Sequence, residues 1–125
     1  MLSTQPQAEH DSSSEIEGQL SIDVYQDEHN IYLVAPIAGV KSADIDISIT
    51  DETVSIHGNR QPMLNVDSPN YIVQECYWGS FSRNYKLPIA VNAENSKATL
   101  KDGLLRIEIP KDEKAKTRII KVDDK

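Results

Sequence analysis

The stretch Ala98-Thr-Leu-Lys-Asp-Gly-Leu-Leu-Arg-Ile-Glu-Ile-Pro-Lys111 decides the fold of this chain. It predicts a strand that ends at Asp102-Gly103, where the chain turns. A second strand follows and stops at Pro110, since proline cannot extend the hydrogen-bonded ladder of a sheet. The aliphatic residues of this second strand recur at every second position and therefore share one face: Leu105, Ile107 and Ile109. The stretch thus predicts two successive strands with one apolar face.

The same period-two alternation returns along the rest of the chain. It is clearest in residues 44–50, where three isoleucines face one side and polar residues face the other. Further strands are predicted at 20–25, 31–36, 53–59, 71–77 and 81–87. No segment shows a helical period over a useful length. Short strands at this spacing predict an all-β protein with the architecture of an immunoglobulin-like antiparallel β-sandwich of seven to eight strands.

The chain of 125 residues has room for one folded domain with two flanking segments. Residues 1–18 are polar, and they contain too few apolar side chains to offset the entropy cost of ordering, so we expect a disordered arm. Residues 19–111 form the expected domain, and residues 112–125 form a flexible tail. The tail carries Ile120 and Val122 on either side of Lys121. Two apolar side chains at this spacing predict docking into a groove on another molecule.

Charge and targeting signals narrow the class of partner. The formal net charge of −7 argues against a nucleic-acid partner, which requires a basic face. Only Lys41 is basic between Met1 and Asn59, whereas Lys and Arg are common from Arg60 onward. The acidic first half could therefore attract the basic second half, within a chain or between chains, or it could simply form a soluble acidic surface. No signal peptide or membrane-spanning stretch is recognised, and the single cysteine, Cys76, suits a reducing compartment. We therefore expect a cytoplasmic protein without a membrane partner.

The residues that commonly carry catalysis form no recognisable site. His10, His29 and His57 fall in the predicted arm, in a turn and at a strand end. They match no metal-ligand spacing, and Cys76 has no local basic helix end of the kind that activates a thiol nucleophile. The sequence therefore predicts a protein that is not an enzyme and has no cofactor or metal.

Four blocks of the sequence together resemble the small heat-shock proteins, whose shared module is the α-crystallin domain. They are Ala35–Ile49, Gly79–Pro88, Ala98–Leu105 and Ile120–Val122, which stand in the family's order between about Gly18 and Val122. Two departures stand out. Leu104 replaces the usual valine, a near-neutral exchange in an aliphatic site. The arm is shorter and more polar than is usual in the family, so we expect small or labile oligomers.

The resemblance implies a fold, an activity and a binding site. Residues 19–111 would be the α-crystallin domain of an ATP-independent holdase, a chaperone that binds partly unfolded proteins and prevents their aggregation. Its partners would be a second copy of itself, further copies in an oligomer, and unfolded clients. A groove would accept the Ile120/Val122 pair of the tail, unless its residues are ordinary core: Ile47, Ile49, Ala98 and Leu100. The alternative function is a co-chaperone-like module that docks a folded partner, although the Ile-Lys-Val tail favours the small heat-shock branch.

The resemblance also implies a dimer interface. In bacterial and plant members, a strand at the position of Tyr71–Tyr77 crosses to the partner and pairs near Leu20–Gln26; the alternative is a hairpin arm within one chain. Arg83 would organise the interface. It shares a face with aromatic and aliphatic residues, so it either pairs with a carboxylate or extends its charged end to solvent. Trp78 either packs at the interface or caps the core. The expected interface residues are Tyr71, Ile72, Val73, Tyr77, Trp78 and Arg83.

Overall fold

The computed structural model describes residues 18–62, 64–112 and 119–124. Within these ranges, period-two alternation produces eight strands, and three short 3-10 turns interrupt the loops at Ser42–Asp44, Ser68–Asn70 and Ala93–Asn95. The strands are β1 (Gly18–Gln19), β2 (Asp23–Gln26), β3 (Asn30–Pro36), β4 (Ile45–Ile49), β5 (Thr53–Arg60), β6 (Gly79–Lys86), β7 (Lys97–Lys101) and β8 (Leu104–Pro110).

The strands form two four-stranded sheets. The first has the order β1-β6-β5-β4 and the second the order β2-β3-β8-β7. Every strand pair is antiparallel except β1–β6, which is parallel. The prediction of an all-β sandwich with seven to eight strands is confirmed. The order leaves β4 at one end of the first sheet, and β2 and β7 at the two ends of the second.

The β7–β8 hairpin forms where the Asp102-Gly103 pair predicts it. Both residues have positive φ, 53° at Asp102 and 76° at Gly103, as a type I′ turn requires. Lys101 pairs with Leu104 across the turn, which sets the register of β7 on β8. The carbonyl of Gly103 also accepts a 2.7 Å hydrogen bond from the Ile37 N–H, so the turn is fixed to the loop after β3.

The core lies between the inward faces of the two sheets and is built almost entirely from aliphatic side chains. Alternate residues of β3 and β8 are buried and pair in register, as Leu33 does with Ile107. From the first sheet, β5 contributes Val54 and Ile56, and β6 contributes Phe81. Each fully buried aliphatic side chain stabilises the fold by about 1.5–3 kcal/mol before entropy costs.

The predicted N-terminal arm lies outside the described residues except for Gly18, which starts β1. Gly18 pairs with Phe81, and its N–H donates to the Tyr77 hydroxyl at 3.2 Å. The side chain of Tyr77 in turn donates to the carbonyl of Ser80. At the other end of the chain, residues 113–118 and 125 of the predicted tail also lie outside the described residues.

The prediction of a strand at Tyr71–Tyr77 needs correction for the single chain. Residues 71–78 form no strand, and none of the strands in the described part of the chain pairs with them. Aromatic and β-branched residues favour an extended backbone, but a strand also needs a neighbour to complete its ladder. The alternative of a hairpin arm within one chain is therefore not what the structure shows.

Candidate functional site: the β4–β7 groove and the exposed 64–78 segment

A groove opens between the edge strands β4 and β7, and we call it the β4–β7 groove. Its volume is about 290 Å³. An edge strand has a neighbouring strand on one side only, so its inward side chains are incompletely covered. The groove is lined by residues from both edges, from the 3-10 turn before β4 and from β8: Ser42, Ile45, Ile47, Ala98, Thr99, Leu100 and Leu105.

The structure brings three of the four predicted groove residues together. Ile47, Ala98 and Leu100 all line the β4–β7 groove. Ile49 shares the inward face of β4 and packs against the core, but it lies outside the lining of the groove. Ile47 and Leu100 are half-buried against the same core, whereas Ala98 is exposed. Ile47 and Leu100 therefore pack against the core and line the groove at the same time.

Two aliphatic lining residues are absent from the predicted set. Ile45 belongs to the same alternation as Ile47, so the period-two rule alone is enough to include it. Leu105 pairs in register with Leu100 and forms part of the groove wall. This pairing follows from the two-residue Asp102-Gly103 turn, which sets the register of β7 on β8, so the turn is the sequence signal that could have identified Leu105.

The apolar pair of the tail is exposed to solvent. Ile120 is 84% exposed and Val122 is 90% exposed, and the neighbouring Ile119 is 92% exposed. The tail is therefore not docked in the β4–β7 groove of its own chain. In the single chain, the groove is open to solvent and the tail segment that is predicted to fill it is exposed.

Among the described residues, Arg83 pairs with no carboxylate, which was one of the two alternatives that the sequence leaves open. Its guanidinium Nη1 donates a 2.8 Å hydrogen bond to the carbonyl of Leu20, and the two ion pairs between described residues involve other side chains. The Leu20 N–H donates to the Ser82 carbonyl, which holds the Leu20 backbone beside β6 and within reach of Arg83. The Leu20 carbonyl oxygen satisfies one N–H donor of the Arg83 guanidinium, but it does not neutralise the positive charge of that group. Arg83 faces inward, opposite Ile56, and remains half-buried.

Residues 64–78, the 64–78 segment, expose most of the remaining apolar surface. Ile72 is 99% exposed and Val73 is 67% exposed, while Tyr71 is half-buried. Tyr77 and Trp78 are exposed to a lesser degree, and Tyr77 contacts Gly18. Segment side chains and Pro62 surround a mainly apolar cavity of about 420 Å³. A large exposed apolar patch is typical of an interaction surface.

The sequence pattern of the Hsp20/alpha crystallin family matches residues 23–123, which include both edges of the groove and the tail. The chain belongs to this family. It is 36% identical to Small heat shock protein C4 of Rickettsia felis over 100 residues, which are 80% of this chain and 61% of that protein. It is 34% identical to Small heat shock protein C2 of Rickettsia felis over 100 residues, which are 80% of this chain and 65% of that protein. The chain thus spans less than two thirds of these relatives.

Solved structures of the Hsp20/alpha crystallin family share the fold. Heat shock protein 16.0 from Schizosaccharomyces pombe superposes with a TM-score of 0.72 at 26% identity, covering 86% of this chain and 100% of that one. A small heat-shock protein from Xylella fastidiosa superposes with a TM-score of 0.68 at 28% identity, covering 84% and 96%. That protein is described as having a distinct high order structure. Membership in the family supports a chaperone role in general terms, and the family's proteins are chaperones and not enzymes.

The groove of this Hsp20/alpha crystallin chain is suited to binding and has no acid or base for chemistry. Its lining is aliphatic apart from the hydroxyls of Ser42 and Thr99, and none of the lining side chains is ionisable. Among the described residues there is no cluster of three or more histidine, cysteine or acidic side chains that could hold a metal ion. No helix in the same residues is long and apolar enough to cross a membrane.

The opposite edge of the second sheet, β2, is held in place by a polar turn. The carboxylate of Asp27 accepts hydrogen bonds from the N–H groups of Asn30 and His29, both at 2.8 Å, and from the Tyr32 hydroxyl at 3.0 Å. The first two bonds hold the pKa of Asp27 below its ordinary value, and the Asp27 carboxylate raises the pKa of Tyr32. Tyr32 also stacks on Tyr25 with the ring centroids 5.0 Å apart, which adds a side-chain contact between β2 and β3.

Proposed function

We propose that this chain is an ATP-independent holdase chaperone that binds partly unfolded proteins and prevents their aggregation. The observation that carries the proposal is the open β4–β7 groove, an aliphatic cleft bounded by two edge strands. An unfolded client exposes extended apolar segments, and such a segment can place alternate side chains in the groove. The chain spans less than two thirds of the two Rickettsia felis relatives, so its activity, clients and partners are all part of what we propose.

Burial of apolar surface supplies the binding free energy without nucleotide hydrolysis. Two aliphatic side chains that enter the groove contribute about 1.5–3 kcal/mol each before the cost of ordering the bound segment. A single site of this strength binds weakly. Several sites on one assembly bind much more tightly, because each later contact is intramolecular. This supports a protein that acts as a dimer or a larger oligomer.

The dimer forms, in this proposal, by exchange of Tyr71–Tyr77 onto the β2 edge of a second copy. Two features support the exchange: β2 is a free edge strand, and the 64–78 segment is exposed and apolar with no strand partner among the described residues. Pairing the two covers an edge that otherwise invites aggregation. Arg83 and Trp78 remain predicted interface residues.

The tail connects dimers in this proposal. Ile120 and Val122 are exposed at the same period-two spacing as the inward residues of β4 and β7, so they suit the β4–β7 groove of another copy. The groove would then bind either a tail or a client segment, and tail release would free it for clients. A cytoplasmic location stays a prediction from the sequence.

Light scattering by heated client proteins tests the holdase proposal. With a molar excess of this protein and no nucleotide, we expect several unrelated clients to aggregate more slowly, and added ATP to change nothing. The control is an equal mass of an unrelated acidic protein. If no client is protected, the holdase function is wrong and the co-chaperone-like docking module becomes the better interpretation.

A further inference from the structure

The two rims of the β4–β7 groove carry opposite charges. The outward face of β4 carries Asp46, with Asp44 directly before the strand, while the outward face of β7 carries Lys97 and Lys101. All four side chains are exposed. None of them takes part in the ion pairs found between described residues. The acidic and the basic rim are therefore both available to an occupant of the groove.

A strand that fills the groove must pair with either β4 or β7. The charges around its outward-facing residues depend on which of the two strands it pairs with. If Ile120 and Val122 point into the groove, Lys121 between them points outward. Pairing with β4 places Lys121 on the face that carries Asp46. Pairing with β7 places it on the face that carries Lys97 and Lys101.

Neighbouring charges on the adjoining strands do not reverse this difference. On the acidic side, His57 of β5 pairs in register with Asp46; a positive charge on His57 would still leave this face acidic, because Asp44 adds a second carboxylate. On the basic side, Glu108 of β8 pairs in register with Lys97, but its carboxylate lies 3.6 Å from the guanidinium of Arg106, so the outward face there stays basic.

We propose that the tail of a second copy pairs with β4, parallel to it, so that Lys121 lies beside Asp46 and the groove selects segments with a basic residue between two aliphatic ones. In the parallel direction Asp123 faces Ser48, whereas in the antiparallel direction it faces Asp44 and is repelled. The inference rests on the tail docking described under the proposed function and adds a direction and a charge preference to it.

Labelled peptides test the charge preference. The receptor is the full chain with Ile120→Ala and Val122→Ala, so that its own tails do not compete. The probes have the sequence of residues 117–124 with Lys, Gln or Glu at position 121, and a probe with alanine at both anchor positions gives the background. Affinity measured by fluorescence anisotropy should fall in the order Lys, Gln, Glu. The first and last should differ by about threefold to tenfold, as expected for exposed charge pairs.

Receptor variants test which rim sets the order of the probe affinities. Asp46→Asn should make the three affinities equal, and Asp46→Lys should reverse their order. Lys97→Gln should leave the order unchanged. The differences in affinity between the three probes should also become smaller at about 1 M salt, where the Debye length is about 3 Å. Amide hydrogen exchange should slow in β4 rather than in β7 when the Lys peptide binds.

Three results would overturn the proposal. Equal affinities for the three probes would show a groove without charge preference and leave tail docking intact. An order that survives Asp46→Asn, with protection gained in β7, would place the tail on the other rim. Failure of every probe to exceed the alanine background would remove both this inference and the tail docking, while the client-aggregation assay would still decide the holdase function independently.

Discussion

At the scale of single residues, the closest fit in the sandwich is between Gly58 and the ring of Phe81. The two residues pair in register on the inward faces of β5 and β6, and the ring lies directly over the glycine. A Cβ atom at position 58 would stand 2.7 Å from Cε1 of the ring, closer than such atoms approach in proteins. The absence of a side chain at this position is therefore what lets Phe81 enter the core.

The substitution Gly58→Ala should destabilise the fold by about 1–3 kcal/mol, the usual cost of overpacking a core. Urea unfolding followed by far-ultraviolet circular dichroism measures the change. The smaller side chain in Phe81→Leu removes the overlap, so Gly58→Ala should cost less in that background. Equal costs in the two backgrounds would show that the ring is not the obstacle.

Asp27 gives the β2–β3 turn a defined response to acid. Its pKa in the folded chain lies below its ordinary value of 3.8, because the N–H groups of Asn30 and His29 donate to the ionised carboxylate. The stabilisation is complete above that ordinary value and is lost as the pH falls through the lowered pKa. Acid titration should therefore shift the amide signals of Asn30 and His29 in NMR spectra, and Asp27→Asn should abolish that titration. Amide signals that titrate equally in the variant would contradict this assignment.

At the scale of elements, sequence patterns predict a strand well where it has one buried face. The isoleucines of β4 alternate with polar residues, and Asp102-Gly103 provides the backbone conformation that a tight turn needs, so both features are predicted correctly. The two-residue β1 is missed because Gly18 and Gln19 show no alternation. Tyr71–Tyr77 is predicted as a strand because its residues favour one, but a strand also needs a neighbour, and among the described residues none pairs with it.

The site is predictable to a similar extent. Alternation places Ile47 on the inward face of β4, but the set of groove residues that includes Ala98 and Leu100 comes from the family resemblance. The groove itself depends on how the two edge strands lie relative to each other, which alternation does not specify. The Leu20 carbonyl that accepts from Arg83 could not be predicted, because a side-chain pattern carries no information about where that carbonyl lies.

If the 64–78 segment supplies the exchanged strand, charges in it should separate the dimer without harming the fold. The double variant Ile72→Asp, Val73→Asp should sediment as a monomer with a native circular dichroism spectrum, because both side chains are exposed in the single chain. Leu64→Asp, Val66→Asp is the matched control, since these side chains are also exposed but precede the predicted strand. A dimer that persists in the first variant would argue against the exchange.

At the scale of the whole molecule, assembly beyond the dimer should depend on the tail. Each docked tail buries only two aliphatic side chains, so many tails must act together and subunits should exchange readily. The double variant Ile120→Ala, Val122→Ala should therefore collapse the population to dimers in native mass spectrometry. Ile119→Ala, the control for the alternative register, should keep the wild-type distribution. A wild type that is purely dimeric at high concentration would show that the tail is idle.

The most direct test of the account compares Ala98→Asp with Asn84→Asp in the client-aggregation assay without nucleotide. Ala98 is exposed and lines the β4–β7 groove, whereas Asn84 is exposed on the outward face of β6 and does not line it, and each substitution adds one negative charge. A charge inside the groove must be desolvated when an apolar segment binds. We predict that Ala98→Asp loses most of its protection of clients, while Asn84→Asp protects as the wild type does. Equal protection by the two variants at every molar ratio would contradict the claim that this groove captures clients.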